Sequence, residues 1–234
     1  MQGSLPEALY ERLATDPQVA RASPLLELSA VAQAGTAATP TSPARVPLKV
    51  LGADALLLPT MAPALMPRAW HTVDRFAMFA PATVFLNTAA LQALGLSTAA
   101  PAQLPQITLH AGLQAALPVQ VAGTVAAGGA PLAVMDIGAA QDLFGRQGAL
   151  MRIDLQLQPG TDATAWQRTL RAEPGWPANA VWAQPGDAAQ RISNLSRAYR
   201  VNLTVLALVA LFTGAFLVFS VLALSVAQRG PQFA

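Results

Sequence analysis

Residues 131–157 read PLAVMDIGAAQDLFGRQGALMRIDLQL, and the hydrophobic period changes twice within them. Pro131 to Ile137 is a short apolar run bounded by turn residues, which is the pattern of a strand. GAAQDLFG after it predicts a helix. Met151 to Leu157 then alternates apolar and polar residues, as a half-buried strand does. Pro159-Gly160 turns the chain, and Asp162 can cap a helix over DATAWQRTLRAE. A strand, a helix, a strand and a helix in that order point to a mixed α and β fold with β-α-β repeats in its second half.

The stretches before it continue the pattern. Leu117 to Val125 (LPVQVAGTV), Gln106 to His110 (QITLH) and Thr83 to Leu86 (TVFL) predict strands, and Asn87 or Thr88 can cap the helix AALQALGL that Gly95 stops. Leu56 to Pro67 (LLLPTMAPALMP) is apolar but carries three prolines, which forbid a regular helix or a central strand and leave a packed loop. Val46 to Leu51 predicts a strand ending at Gly52, residues 33–45 a loop, and Ala22 to Ala32 another strand. At the start, Ser4 and Glu7 have the spacing of a capping box, with Pro6 in the first turn and Leu5, Leu9 and Leu13 on one face. They predict a helix to about Ala14, stopped by Asp16-Pro17.

Toward the other end, a strand is expected near Asn179 to Ala183. Asp187 can cap a helix with no breaker before Gly214, and Ile192, Leu195 and Tyr199 fall on one stripe of it. From Val201 to Ala227 there are 27 residues without a charge, between Arg200 and Arg229. At about 1.5 Å of rise per residue such a helix reaches roughly 40 Å, against ~30 Å for the hydrocarbon core of a bilayer. It is read as a transmembrane helix. Ala210 and Gly214 form a small-xxx-small pair that allows close helix approach, and the hydroxyls of Thr204, Thr213, Ser220 and Ser225 can bond back to the helix backbone. No charge within the run marks an ion route.

Composition narrows the function classes. The chain has 234 residues, 53% hydrophobic and 11% charged, with a net charge of +2 carried by thirteen scattered arginines and Lys49. Nucleic acid is therefore not an expected partner. There is no cysteine, hence no disulfide and no thiolate metal site. His71 and Asp74, with His110 far along the chain, are too sparse to predict a metal site, and the cluster Gly123, Gly128, Gly129 is a loop signal. Neither a phosphate-binding G-x-x-x-x-G-K-[ST] nor a G-x-S-x-G occurs, so ATP is not bound by this chain and no enzymatic activity is expected. MQGSLPEALY lacks a basic region followed by an apolar one and is not a secretory signal. Either a preceding span is then expected upstream of Met1, or residues 1 to 200 stay in the cytosol.

The order of these elements resembles the extracytoplasmic domain and following transmembrane helix of MacB/FtsX-like ABC transporter permeases. The residues that carry the resemblance are VLGAD (50–54), VFLNTAALQALGL (84–96), ITLHAG then VQVAGTV, PLAVMDIGAAQDLFG (131–145), IDLQLQPGTDA, and the closing SNLSRAYRVNLTVLALVALFTGAFLVFSVLALSVAQRGPQFA. The resemblance implies an α+β, MacB-like periplasmic domain: a porter-like part from residues 1–75 and 131–186, and an inserted β-rich part from residues 76–130. A stalk helix (187–200), a transmembrane helix (201–227) and the start of a cytoplasmic turn (228–234) follow. It implies a permease subunit in a bacterial inner membrane that pairs with an ABC ATPase subunit, with membrane lipid, and with the remaining permease helices or a second permease copy. The bound ATP belongs to the ATPase, and the chain is expected to be a fragment of a longer permease. Arg191, Arg197 and Arg200 precede the run and Arg229 follows it, which by the positive-inside rule would put the domain in the cytosol. Long domains translocate largely regardless of charge, and the resemblance places residues 1 to about 200 outside. Two other readings stand beside it: a single-span anchored sensor or binding module, and an FtsX-like regulator of cell-wall hydrolases that transports nothing.

Overall fold

Thr83–Leu86 and residues 132–135 are buried at every position, so the sheet they belong to is covered on both faces. The computed structural model describes residues 1–35, 45–74, 76–112, 116–177, 180–183 and 207–221. Met1–Trp182 forms one unit and Ala183–Ala234 another.

In the first unit the elements follow in the order β1 (Gln2–Pro6), α1 (Glu7–Ala14), β2 (Val19–Ala34), β3 (Arg45–Ala53), α2 (Leu58–Met61), β4 (Arg68–Ala69), β5 (Thr83–Leu86), α3 (Thr88–Ala93), β6 (Gln106–His110), β7 (Leu117–Thr124), β8 (Leu132–Asp136), α4 (Ile137–Leu143), β9 (Ala149–Leu157) and α5 (Ala163–Ala172). The strands hydrogen-bond in the order β1-β9-β2-β3-β8-β5-β7-β4. β6 pairs with both β7 and β2 and so closes a ring: β2, β3, β8, β5, β7, β6 and back to β2. This six-stranded barrel shares β2 with an open sheet, β1-β9-β2, on its flank.

Alternate residues of all six ring strands belong to a single buried cluster. Leu26, Ala30 and Ala32 of β2, Val46, Leu48 and Val50 of β3, Val84 and Leu86 of β5, Ile107 and Leu109 of β6, Val119 and Val121 of β7, and Ala133 and Met135 of β8 meet there, with Leu91 of α3 and Phe144 after α4. That common face is the barrel interior. The opposite positions, Leu25, Leu51, Phe85, Ala122 and Val134, lie outside and are sealed by Leu58, Leu65 and Met66. The proline-bearing stretch 56–67, expected to be a packed loop, instead forms the one-turn helix α2 and a 3-10 turn at Pro63–Leu65, because Pro59 and Pro63 stand in first turns where no N–H donor is required; Leu58 is buried while Leu56 is exposed. Leu5, Leu9 and Leu13 join Leu150, Ile153, Trp166 and Leu170 in a separate cluster beneath the open sheet.

The pairing senses make both crossovers parallel. β8 is parallel to β3, β3 antiparallel to β2, and β2 antiparallel to β9, so β8-α4-β9 is a β-α-β unit with β3 and β2 between its strands. By the same count β1-α1-β2 spans β9. Gly52 makes room for the first crossover, since a Cβ there would lie 2.6 Å from Ala140 Cβ on α4.

The N-terminal reading needs correction. Ser4 lies in β1, and the N-cap position of α1 is Pro6: the helix begins at Glu7 with no side-chain cap, and the Glu7 N–H donates to the Gly148 carbonyl at 3.0 Å. Pairing of Leu5 with Leu150 holds this segment extended, and that long-range ladder overrides the local cap signal. The strand expected at 179–183 is a lone bridge between Gln2 and Val181 among the described residues.

In the second unit residues 207–221 are helical with nearly all side chains exposed. Thr213 Oγ1 donates to the Val209 carbonyl and Ser220 Oγ to the Phe216 carbonyl, both at 2.8 Å, so these hydroxyls are spent on the helix's own backbone. The rest of the 201–227 run, with Thr204 and Ser225, lies outside the described residues. Among those described, no helix is long and apolar enough to cross a membrane.

Candidate functional site

Three tryptophans gather where the chain leaves the first unit. Trp166 projects from α5, whose N-terminus is capped by Asp162 Oδ1 accepting from the Thr164 N–H at 2.8 Å and the Ala165 N–H at 3.1 Å. Trp176 follows the turn after α5, and its ring stacks on Trp182 at 5.6 Å and 11°, while Trp182 meets Trp166 edge-on at 5.4 Å and 68°. Arg12 of α1 lies over the Trp176 ring at 5.7 Å and pairs with Glu173 at 3.4 Å. Next to Trp182, Val181 exchanges both backbone hydrogen bonds with Gln2 of β1, at 2.8 and 2.9 Å. Helices α1 and α5, strand β1 and the exit segment are thereby tied at one place.

A groove of about 460 Å³ opens beside this cluster, lined by Trp166 with Asp16, Asp162 and Glu173. Each carboxylate is already engaged: Asp16 accepts from the Trp166 Nε1–H at 3.0 Å and the Gln18 N–H at 2.7 Å, Asp162 caps α5, and Glu173 holds Arg12. The groove therefore presents a set of structural acids and no nucleophile with a base beside it.

On the sheet, Arg152 of β9 forks onto Asp154 with two contacts of 2.6 Å and reaches Glu27 of β2 at 3.2 Å, and Glu27 takes Lys49 of β3 at 2.7 Å. The hydrogen bonds that Arg152 donates to Asp154 outweigh partial burial and push the Arg152 pKa above its ordinary value. This chain of charges ties three adjacent strands side by side.

The residues singled out from sequence fall elsewhere. Ile192, Leu195 and Tyr199 lie outside the described residues. Ala210 and Gly214 sit on the exposed helix 207–221, where a Cβ at Gly214 would meet nothing within 4 Å. Asp74 Oδ1 accepts from the Phe76 N–H at 2.8 Å, and His110 Nε2 lies 3.1 Å from Gln33 Oε1. Among the described residues no three His, Cys, Asp or Glu come together as a metal site. Sequence reading missed the tryptophan cluster, whose one local signal is the density of Trp at 166, 176 and 182 in a chain with four.

No protein-family model matches the chain. Over 103 residues it is 35% identical to the uncharacterized ABC transporter permease protein Rv0987 of Mycobacterium tuberculosis, a match spanning 44% of this chain and 11% of that protein. Its fold superposes on the periplasmic region of MacB from Actinobacillus actinomycetemcomitans with a TM-score of 0.51 and 11% identity, over 72% of each chain. This is a MacB-like periplasmic fold. The extracellular domain of the noncanonic ABC-type transporter YknZ from Gram-positive bacteria is also similar, with a TM-score of 0.48 and 14% identity over 71% of this chain and 78% of that one. The MacB-like fold expected from the order of the elements is therefore the one observed, with helices and strands in the mixed arrangement read from residues 131–157.

Proposed function

We propose that this chain is part of the permease subunit of an ABC transporter complex, and that its MacB-like domain moves in response to ATP hydrolysis by a partner subunit. The observation that carries the reading is the 35% identity to a permease, found in a chain whose fold is MacB-like. The absence of a phosphate-binding loop in this sequence supports a separate ATP-binding subunit, and the uncharged run 201–227 supports a membrane-spanning helix joined to the domain. In this reading residues 1 to about 200 lie outside a bacterial inner membrane, and the cargo is a hydrophobic substrate or a lipoprotein. Residues 1–75 and 131–186 form the porter-like part, and 76–130 the insertion that supplies β5, β6 and β7 to the barrel. Ile192, Leu195 and Tyr199 line the stalk, and Ala210 and Gly214 pack against the remaining permease helices or a second copy.

These 234 residues contain no cysteine, so one placed among them is a distinct probe once any cysteine elsewhere in the full-length protein has been replaced. Ala126→Cys, at an exposed position after β7, is expected to react with a membrane-impermeant maleimide added to intact cells, and the full-length protein is expected to co-purify with an ABC ATPase. A cysteine shielded until the cells are lysed refutes the orientation. A labelled protein that brings down no ATPase refutes the transporter and leaves an anchored sensor.

A further inference from the structure

The exit segment and the sheet are joined by one unbroken row of backbone partners. Val181 pairs with Gln2, Gln2 with Arg152, Arg152 with Leu25, Leu25 with Ala53, and Ala53 with Asp136. The row starts at the last residues of the first unit, crosses β1, β9, β2 and β3, and ends on β8 inside the barrel ring. Asp136 is also the N-cap of α4, with Oδ2 accepting from the Ala139 N–H at 3.1 Å. Beside the row, Arg152, Glu27 and Lys49 link the side chains of β9, β2 and β3.

At the start of the row the exit segment is held by more than its two hydrogen bonds. Trp182 is gripped between Trp166 and Trp176, and Arg12 closes over Trp176 while holding Glu173 at the end of α5. The contacts come from α1, α5 and β1 at once. A displacement that arrives along the backbone at Ala183 meets this grip before any other part of the unit.

We infer that Trp176, Val181 and Trp182 form a clasp that stays closed under load and delivers displacement of the following segment to the sheet at Gln2, from where the row Gln2, Arg152, Leu25, Ala53 and Asp136 carries it into the barrel. The inference deepens the permease reading and rests on it for the source of the movement. Its mechanical content does not.

The test is single-molecule pulling on the 234-residue chain in detergent micelles, with handles on Ala126→Cys, just after barrel strand β7, and on Ala183→Cys behind the clasp. The unaltered clasp is expected to hold until the sheet itself yields. Trp182→Ala with Val181→Pro removes both ring contacts and one bridge donor, and is expected to add an early extension step. Seven residues at about 3.4 Å each give about 24 Å for that step, with the later unfolding event unchanged, which shows that the variant is folded. An early step of that size without the substitutions overturns the inference.

A second arm asks whether the clasp must open. Gln2 and Val181 form a hydrogen-bonded antiparallel pair, whose Cα atoms stand about 5.5 Å apart, within disulfide reach. In the full-length permease assembled with its ATPase, oxidising Gln2→Cys with Val181→Cys is expected to change ATP turnover less than twofold. A tenfold loss that reductant restores means that the clasp opens during the cycle, and the inference fails. If no ATPase assembles, the permease reading fails, and the pulling result still decides whether the clasp holds.

Discussion

Asn87 is the side chain whose loss the structure prices most directly. It is fully buried, and its Oδ1 accepts from two backbone donors, the Ala90 N–H in the first turn of α3 at 2.9 Å and the Leu132 N–H at the start of β8 at 3.0 Å. Its Nδ2 donates to the Ala130 carbonyl at 2.9 Å. One amide thus caps a helix and ties β5 to the entry of β8, where Leu132 in turn accepts from the Asn87 backbone N–H at 3.0 Å. In Asn87→Ala, loss of the cap costs about 1 kcal/mol. The Leu132 N–H, buried without a partner, costs a further ~1 to 3 kcal/mol. The Ala130 carbonyl belongs to an exposed residue and can turn to water, so it adds little. The expected total is roughly 2 to 4 kcal/mol, or a fall in Tm of about 5 to 15 °C for a unit of this size. Urea denaturation of the detergent-solubilised chain, followed by tryptophan fluorescence and circular dichroism, measures it. Asn87→Ser keeps a capping oxygen and should recover part of the cap while losing the reach to Leu132. A loss under ~1 kcal/mol in Asn87→Ala would refute the reasoning, because it would mean that water satisfies the Leu132 N–H.

Gly123→Ala should cost roughly 2 kcal/mol or more in the same assay, since its Cβ would overlap the Arg68 carbonyl and come within 2.9 Å of Ala69 Cα, whereas Gly128→Ala, with nothing within 4 Å, should be near neutral. Burial, then the charges of Asp54 and Glu7, raise the Tyr10 pKa above 10.0, so its contribution to stability is present below that pH and is lost as pH rises through the folded value. Tyr10→Phe should therefore flatten the alkaline fall of the urea midpoint, and an unchanged slope would contradict the assignment. If the permease reading holds, Ala210→Ile with Gly214→Ile should weaken association of helix 207–221 with further permease helices in cross-linking experiments, and unaltered assembly would remove the packing role.

What could be read locally was read well. Strands β5 and β6 have the limits expected from their short apolar runs, and Asn87 and Asp162 cap the helices that their positions announce. What depends on distant partners could not be read. β1 exists because Leu5 meets Leu150, a contact that no window around Ser4 contains. β2 starts at Val19 because Val19 pairs with Leu157, ahead of the alternation that begins near Ala22. Closure of the barrel hangs on four residues, Val31 to Ala34, finding Ile107 to His110 across a gap in sequence filled by other strands. The tryptophan clasp likewise joins α1, α5 and β1 from three separate stretches.

The prolines show how the sequence nonetheless encodes the junction between barrel and open sheet. Pro24, Pro47 and Pro118 all lie within long strands, where a proline is normally excluded because it cannot donate to a ladder. Each stands where its strand has one neighbour. Pro24 pairs with Ile153 of β9, while the ladder of β2 with β3 begins only at Leu25. Pro47 pairs with Val31, and β3 meets β8 only from Lys49. Pro118 pairs with Thr108, and β7 meets β5 only from Gln120. In all three the second ladder opens one or two residues further along. A proline there asks nothing of the missing neighbour and stops that ladder from running on past its end. At Pro24 the effect is architectural: before it β2 belongs to the open sheet, after it β2 belongs to the barrel, and Leu25, the first residue with partners on both sides, is the one that receives Arg152 and passes to Ala53.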